Sequence, residues 1–416
     1  MYRSVQIWIY STSLCLILMF FAGAVGGITT VATKTDFACV AECMCLSKTQ
    51  ILCNTGGLKG IPSKLPDNLE ELSLSKNNYP VVRSDAFSHL RSLKRLNLDA
   101  NNIQEIQRFA FRGLNKLLVL QIQQNPLSYI GEFAFAALQN VSTLILAHNK
   151  IGYIKGRAFA GSTQIQNIML NNNPLKVIHS NAFSGLTYVQ NLILPITITS
   201  IEPDAFNGLE HVGFLKMTYM DLKGLMPFTF RGLRYVHRLL IQTSDLGVVH
   251  RNAFAGLEHV NNLDVVSNKI DAIDQFRLCA NSSIVTFRFH KNHVLRAPDY
   301  GDAVFRVNSS SIEGNHFPCD CQIHLVLESD FVQGASVNEF RRRNYCISTE
   351  FNGKSMDAVP LESIATCHDR LTKDNYGLAT SPRSRDLALV ISCLALYVLN
   401  ALSLSCNDLP STSSYL

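Results

Sequence analysis

LNLDANNI, residues 96–103, is the stretch whose reading decides the fold. Leu96 and Leu98 alternate with polar Asn97 and Asp99, the period of a short strand with one buried face. Asn101, next in line, can turn its side-chain amide onto the backbone of a tight bend and satisfy groups that no strand partner reaches. The pattern recurs. Asn77, Asn101, Asn125, Asn149 and Asn173 stand 24 residues apart, each with aliphatic residues three and five positions before it. Phe87, Phe111, Phe135, Phe159 and Phe183 lie ten residues after these asparagines, each directly preceded by Ala.

The second strand residue forms a longer column: Leu74, Leu98, Ile122, Leu146, Leu170, Leu194, Met217, Ile241, Val265 and Phe289, with every step 24 except one of 23 between Leu194 and Met217. Later apolar residues such as Ile103 and Ile106, and then the Phe, fill the interior on the return path. One such turn cannot bury its apolar face alone, whereas stacked turns share a continuous core. The chain is therefore expected to be a solenoid.

The pattern LxxLxLxxNxIxxIxxxaFxxL resembles the leucine-rich repeat in its 24-residue extracellular form, over about residues 39–367. Connectin, the Nogo receptor and Slit-type ectodomains are of this kind. The resemblance implies an α/β solenoid, a leucine-rich repeat horseshoe with a parallel concave β-sheet, built of about ten repeats over residues 67–315. At about 4.8 Å per strand, ten strands make an arc of roughly 45 Å.

A solenoid has two open ends that invite edge-to-edge association. Cys39, Cys43, Cys45 and Cys53 precede the first repeat, and Cys319, Cys321, Cys346 and Cys367 follow the last, the third quartet-end opening within EGNHFPCDC, residues 313–321. These resemble terminal cysteine caps, at 39–66 and 316–367. The resemblance implies the pairs Cys39–Cys45, Cys43–Cys53, Cys319–Cys346 and Cys321–Cys367. Zinc is the competing reading, disfavoured by a secreted setting and by spacings that fit no common zinc module. Asn315, 23 residues after Asn292, reads as the final repeat Asn. Cys279 is left over, as a buried free thiol or an intermolecular disulfide.

The 416 residues are 47% hydrophobic and 17% charged with a net charge of +5, too mild for nucleic acid as a partner. Arg3, the apolar run Val5–Ala22 and small residues to Ala24 read as a signal peptide, residues 1–24. A polar stalk (368–386), an apolar segment (387–405) and a short polar tail (406–416) suggest a membrane anchor. Two kinds are open. Small residues around Asn375 and a polar spacer suit glycolipid attachment there. A retained single-pass type I helix would have Arg383 and Arg385 before it and no basic residue after it, against the usual orientation rule, and Cys406 would then be open to palmitoylation. The glycolipid reading is preferred.

The outward central strand position reads Ser73, Asn97, Gln121, Ile145, Met169, Ile193, Lys216, Leu240, Asp264 and Arg288. Its apolar middle, Ile145, Met169, Ile193 and Leu240 with Lys216, flanked by Phe214 and Tyr219, is the expected protein-binding patch. Thr197, Met220 and Ser244 replace the repeat Asn in the same region. Sequons at Asn140, Asn281 and Asn308 avoid the central column and are expected glycosylation sites. Arg288, His290, Lys291, Arg296 and Arg341–Arg343 form a basic group that a heparan-like polyanion could bind. No nucleophile or phosphate-loop motif occurs, so neither catalysis, cofactor nor metal is expected. The expected function is a non-enzymatic cell-surface protein that binds a protein ligand or a second copy of itself, in adhesion or neuronal recognition. The alternatives are an innate immune ectodomain acting with a co-receptor and a secreted matrix component.

Overall fold

The computed structural model describes residues 39–139, 141–274, 282–298, 307–329, 332 and 336–362. The expected signal peptide, stalk, anchor segment and tail lie outside these, as do Cys279, Cys367, Asn140, Asn281 and Asn375. Among the described residues no helix is long and apolar enough to cross a membrane.

Thirteen strands form one sheet in chain order. They are β1 (Met44–Ser47), β2 (Gln50–Leu52), β3 (Glu71–Ser73), β4 (Arg95–Asn97), β5 (Val119–Gln121), β6 (Val141–Ile145), β7 (Ser162–Met169), β8 (Leu186–Ile193), β9 (His211–Thr218), β10 (Tyr235–Gln242), β11 (His259–Val266), β12 (Ser283–His290) and β13 (Val307–Glu313). β1 and β2 are an antiparallel hairpin, and from β2 onward each strand runs parallel to the last. The register is one repeat per strand: Leu72, Leu96, Leu120 and Leu144 lie side by side. β7–β12 extend to eight residues because their leading segments, such as TYV and YVH, carry β-branched and aromatic residues where earlier turns read HLRS or LNKL.

Two internal stacks run along the solenoid. One is aromatic: Phe87, Phe111, Phe135, Phe159, Phe183, Phe206, Phe230 and Phe254 stack ring on ring with centroids 5.3–6.2 Å apart. Each is buried, which contributes roughly 1.5–3 kcal/mol per ring in transfer free energy alone. The glycine that follows on the turn lets neighbours close up; at Gly185, with φ +94°, a Cβ would come 2.5 Å from the Ala160 Cα.

The other stack is the repeat asparagine. Asn149 Nδ2 donates to the carbonyls of Ile122 (2.7 Å) and Leu146 (2.8 Å), while its Oδ1 accepts from the Asn125 backbone N–H at 2.9 Å. Asn125 in turn accepts from Asn101 N–H (2.8 Å), and Asn101 from Asn77 N–H (2.8 Å). The residue before each Asn takes the left-handed region, as at Lys76, Ala100, Gln124, His148 and Asn172. That conformation points the following amide at the neighbouring turn.

The ends are closed covalently. Cys39–Cys45 and Cys43–Cys53 tie the β1–β2 hairpin, and Cys319–Cys346 ties the far end, beside α1 (Ile323–Glu328) and α2 (Val337–Arg343). Cys321 is also disulfide-bonded. The asparagine ladder does not end at Asn315. Asn344, at the end of α2, accepts from Asn315 N–H at 3.0 Å and donates to the Phe340 carbonyl at 2.9 Å, giving the last turn the partner a further repeat would have supplied. No repeat spacing announced it, because 29 residues separate the two.

Replacing Asn149 by Ala should therefore lower stability by about 3 kcal/mol, since buried backbone groups on two turns lose their partner at about 1–3 kcal/mol each. Chemical denaturation of the ectodomain checks this. A second expectation concerns His316, which stacks on His293 (4.3 Å between centroids) and on Tyr345 (5.4 Å). Burial, and then the His293 charge, hold its imidazole below the ordinary 6.5. The unfolded chain thus binds the proton first as pH falls, so the stability held in this stack is complete above about pH 6.5 and declines below it. Thermal unfolding between pH 7.5 and 5 should show the decline, and His316→Gln should flatten it.

Candidate functional site on the concave face

Because strand parity sends alternate residues to opposite faces, the outward positions form columns across the sheet. One runs Val119, Thr143, Asn167, Asn191, Phe214, Arg238, Asn262 and Thr286. The next runs Gln121, Ile145, Met169, Ile193, Lys216, Leu240, Asp264 and Arg288. From β5 to β8 neither column holds a charged residue. Ile145 and Met169 are half-buried between their neighbours, and Ile193 is 36% exposed. Phe214 is half-buried beside the Arg238 guanidinium, 5.9 Å from its ring centroid, and Lys216 is exposed.

Leu240 departs from the expected patch. It is only 9% exposed, placed between Lys216 and Asp264 and beside the ion pair that Arg238 makes with Asp264, so it packs rather than presents a surface. Asp264 itself is buried, its side chain 2% exposed although it sits at an outward position. Its two oxygens accept from Arg238 Nε at 2.7 Å and Arg288 Nη1 at 3.2 Å. Long side chains reaching across strands thus cover part of a face that alternation alone leaves open.

The rim at the C-terminal ends of the strands carries two large, strongly exposed apolar groups. Tyr219 is 67% exposed and Ile196 60%. Tyr219 holds φ +59°, in the left-handed column before the ladder position. A bulky aromatic side chain is costly there, and nothing of its burial repays the cost. Ile196 holds the equivalent sequence position one turn earlier, without the left-handed φ, and was not singled out by strand parity, because it lies past the strand end. The signal available was its position: the equivalent residues at Gln124, His148 and Asn172 are polar.

Behind this rim the ladder changes chemistry. Thr197 Oγ1 lies 2.8 Å from the carbonyls of both Asn173 and Leu175 and donates its one proton to either. Met220 is buried and offers no polar group, and its own N–H is taken by Ser244 Oγ at 3.0 Å. Ser244 N–H then returns to the regular pattern through Asn268 Oδ1 at 3.0 Å. Asn308 is exposed on β13 and outside the central column.

Arg288, His290, Arg341 and Arg343 of the basic group are engaged, while Lys291, Arg296 and Arg342 are exposed. Arg288 binds Asp264, and Arg343 binds Glu339 at 2.5 Å and Glu313 at 3.7 Å. Arg341 donates to the carbonyls of Met356 (3.2 Å) and Val359 (2.7 Å), holding the cap together. His290 faces Ser311 Oγ at 2.8 Å.

Comparison with known families agrees with this geometry. Residues 52–103 match the family described as leucine rich repeat, and residues 80–212 match the BspA type leucine rich repeat region in six copies. Over residues 52–212 the turns of this solenoid are thus similar to leucine-rich repeats. Over 58 residues it is 34% identical to leucine-rich repeat-containing protein 4B of Mus musculus and of Rattus norvegicus; the match covers 14% of this chain and 8% of those relatives. Among solved structures, it resembles a chain of the octameric complex of Latrophilin 3, Unc5D and FLRT2, with 17% identity and a TM-score of 0.49 over 79% of this chain and all of that one. Human 5T4 (trophoblast glycoprotein) aligns with 19% identity and a TM-score of 0.36 over 78% of this chain and 98% of that one.

Tyr219→Gly separates surface from scaffold at the rim. Glycine adopts the left-handed region without steric cost, so the melting temperature of the variant should stay equal to or rise above that of the parent while the exposed ring is lost. A fall of several degrees would show that the ring is structural.

Proposed function

We propose that this chain is a non-enzymatic cell-surface leucine-rich repeat protein that binds a protein ligand through its concave face, in cell adhesion or cell–cell recognition, including recognition between neurons. The observation that carries the reading is the uncharged face from β5 to β8. It sets Ile145, Met169 and Ile193 side by side and runs out to the exposed rim of Ile196 and Tyr219. Aligned, partly solvated aliphatic side chains with an aromatic at the edge are the composition of a protein-binding patch. The closed caps fit an oxidising, extracellular setting. In this reading residues 1–24 direct secretion, and the segment at 387–405 holds the protein at the membrane, through a glycolipid at Asn375 in preference to a retained helix. Asn140, Asn281 and Asn308, none of them in the central outward column of the sequence, carry glycans.

The test mixes non-adhesive cells expressing the full-length chain with labelled non-expressing cells and with labelled neurons. Clusters of expressing cells alone mark a second copy as ligand, and mixed clusters mark a different one. Either should be reduced at least tenfold by Ile193→Asp with Met169→Asp, at unchanged surface display. Displayed protein that clusters with neither population, or clusters that ignore these substitutions, would sink the concave-face reading.

A further inference from the structure

The concave face is not uniform along its length. The uncharged stretch ends at β9, where Lys216 begins a cationic one. In β8–β12 the acidic residue is Asp264 alone, against Lys216, Arg238 and Arg288. Asp264 does not cancel the two arginines so much as position them. It takes one N–H from Arg238 and one from Arg288, while each guanidinium has five to give. Their side chains remain 45% and 44% exposed. The Phe214 ring lies against the Arg238 guanidinium as a further restraint. Two guanidiniums held in place by a buried carboxylate, with free donors facing solvent, have already lost the rotamer freedom that binding a carboxylate would otherwise remove.

We infer that the ligand of this face is an acidic polypeptide segment: an apolar side chain seats at Ile193, Ile196 and Tyr219, and a carboxylate follows it onto Arg238 and Arg288. The inference rests on the concave-face reading and names its partner. The spacing follows from the sheet. Ile193 on β8 lies in register with Leu240 on β10, two residues past Arg238, so the two positions are two strands apart and two residues along, roughly 12 Å, which an extended peptide crosses in about four residues. A sulfated polysaccharide fits less well. It needs a continuous basic track, whereas Arg343 is tied to Glu313 and Glu339 and Arg341 to cap carbonyls, and the stretch on the other side of Lys216 is uncharged.

The probe is a phage-displayed random dodecapeptide library, selected on the glycosylated ectodomain. Enriched peptides should carry Asp or Glu two to four residues from a Leu, Ile, Phe or Tyr. Their binding should fall at least tenfold on Arg238→Gln with Arg288→Gln. Because those changes strand a buried carboxylate, the triple variant Arg238→Gln, Asp264→Asn, Arg288→Gln provides a neutral, foldable counterpart, with its melting temperature measured alongside. Reversal to Lys-rich peptides, enrichment without acid, no enrichment, or equal binding to the triple variant would overturn the inference. A heparin dodecasaccharide that binds the parent tightly, and displaces the peptides through Arg238 and Arg288, would reassign the site to polyanions. Cell clustering that depends on Ile193 and Met169 but not on the arginines would leave the concave-face reading standing and remove this one. Acid-dependent peptide binding without any cell clustering would keep this site on the concave face and remove the role in adhesion.

Discussion

Every turn of this solenoid must bend sharply at the end of its strand, and a bend buried between two neighbours has backbone groups that water cannot reach. The repeat asparagine resolves this by serving two turns at once. Its amide nitrogen satisfies carbonyls of its own turn and the preceding one, and its oxygen receives the N–H of the preceding bend. The bond is made only if the next turn arrives at the same height and phase. The constant 24-residue step is thus a consequence of hydrogen-bond satisfaction as much as of apolar packing. The phenylalanine stack on the return path imposes the same phase by a different force.

Where that constraint is relaxed, the surface changes. Besides the step into the last repeat, from Asn292 to Asn315, a 23-residue step falls between Leu194 and Met217, across the turns where Thr197 and Met220 replace Asn. Thr197 still donates to a carbonyl, with two in reach, but Met220 makes its contribution by burial. The exposed apolar rim, Ile196 and Tyr219, stands directly before these two residues. Irregular bends and the rim that the proposed function uses thus occupy the same turns.

The ends obey the logic of the middle. At the first turn, Asn77 Nδ2 reaches back to the Cys53 carbonyl of the N-terminal cap at 2.7 Å. At the last, Asn344 meets Asn315, and β13 adds a strand before the Cys319–Cys346 disulfide. Each cap presents a substitute for the missing repeat, and Asn77 and Asn315 both find cap partners for the ladder.

The sequence by itself determined the solenoid, its period, the buried columns and the set of residues that alternation sends to the sheet face. All of these follow from local rules: strand parity, a bend that needs an amide, and an apolar turn too short to fold alone. Tertiary structure alone decided which of those outward residues remain a surface. Leu240 and Asp264 have the parity of exposed residues, yet the first packs beside an ion pair and the second lies under two arginines from the adjoining strands. Arginine is long enough to reach a neighbouring strand about 4.8 Å away, and whether it does depends on what that strand offers. Asn344 was equally invisible, since its place in the ladder comes from how a helix ends and not from a repeat. Contacts between neighbouring turns settle such matters, and a column read one residue at a time contains no record of them.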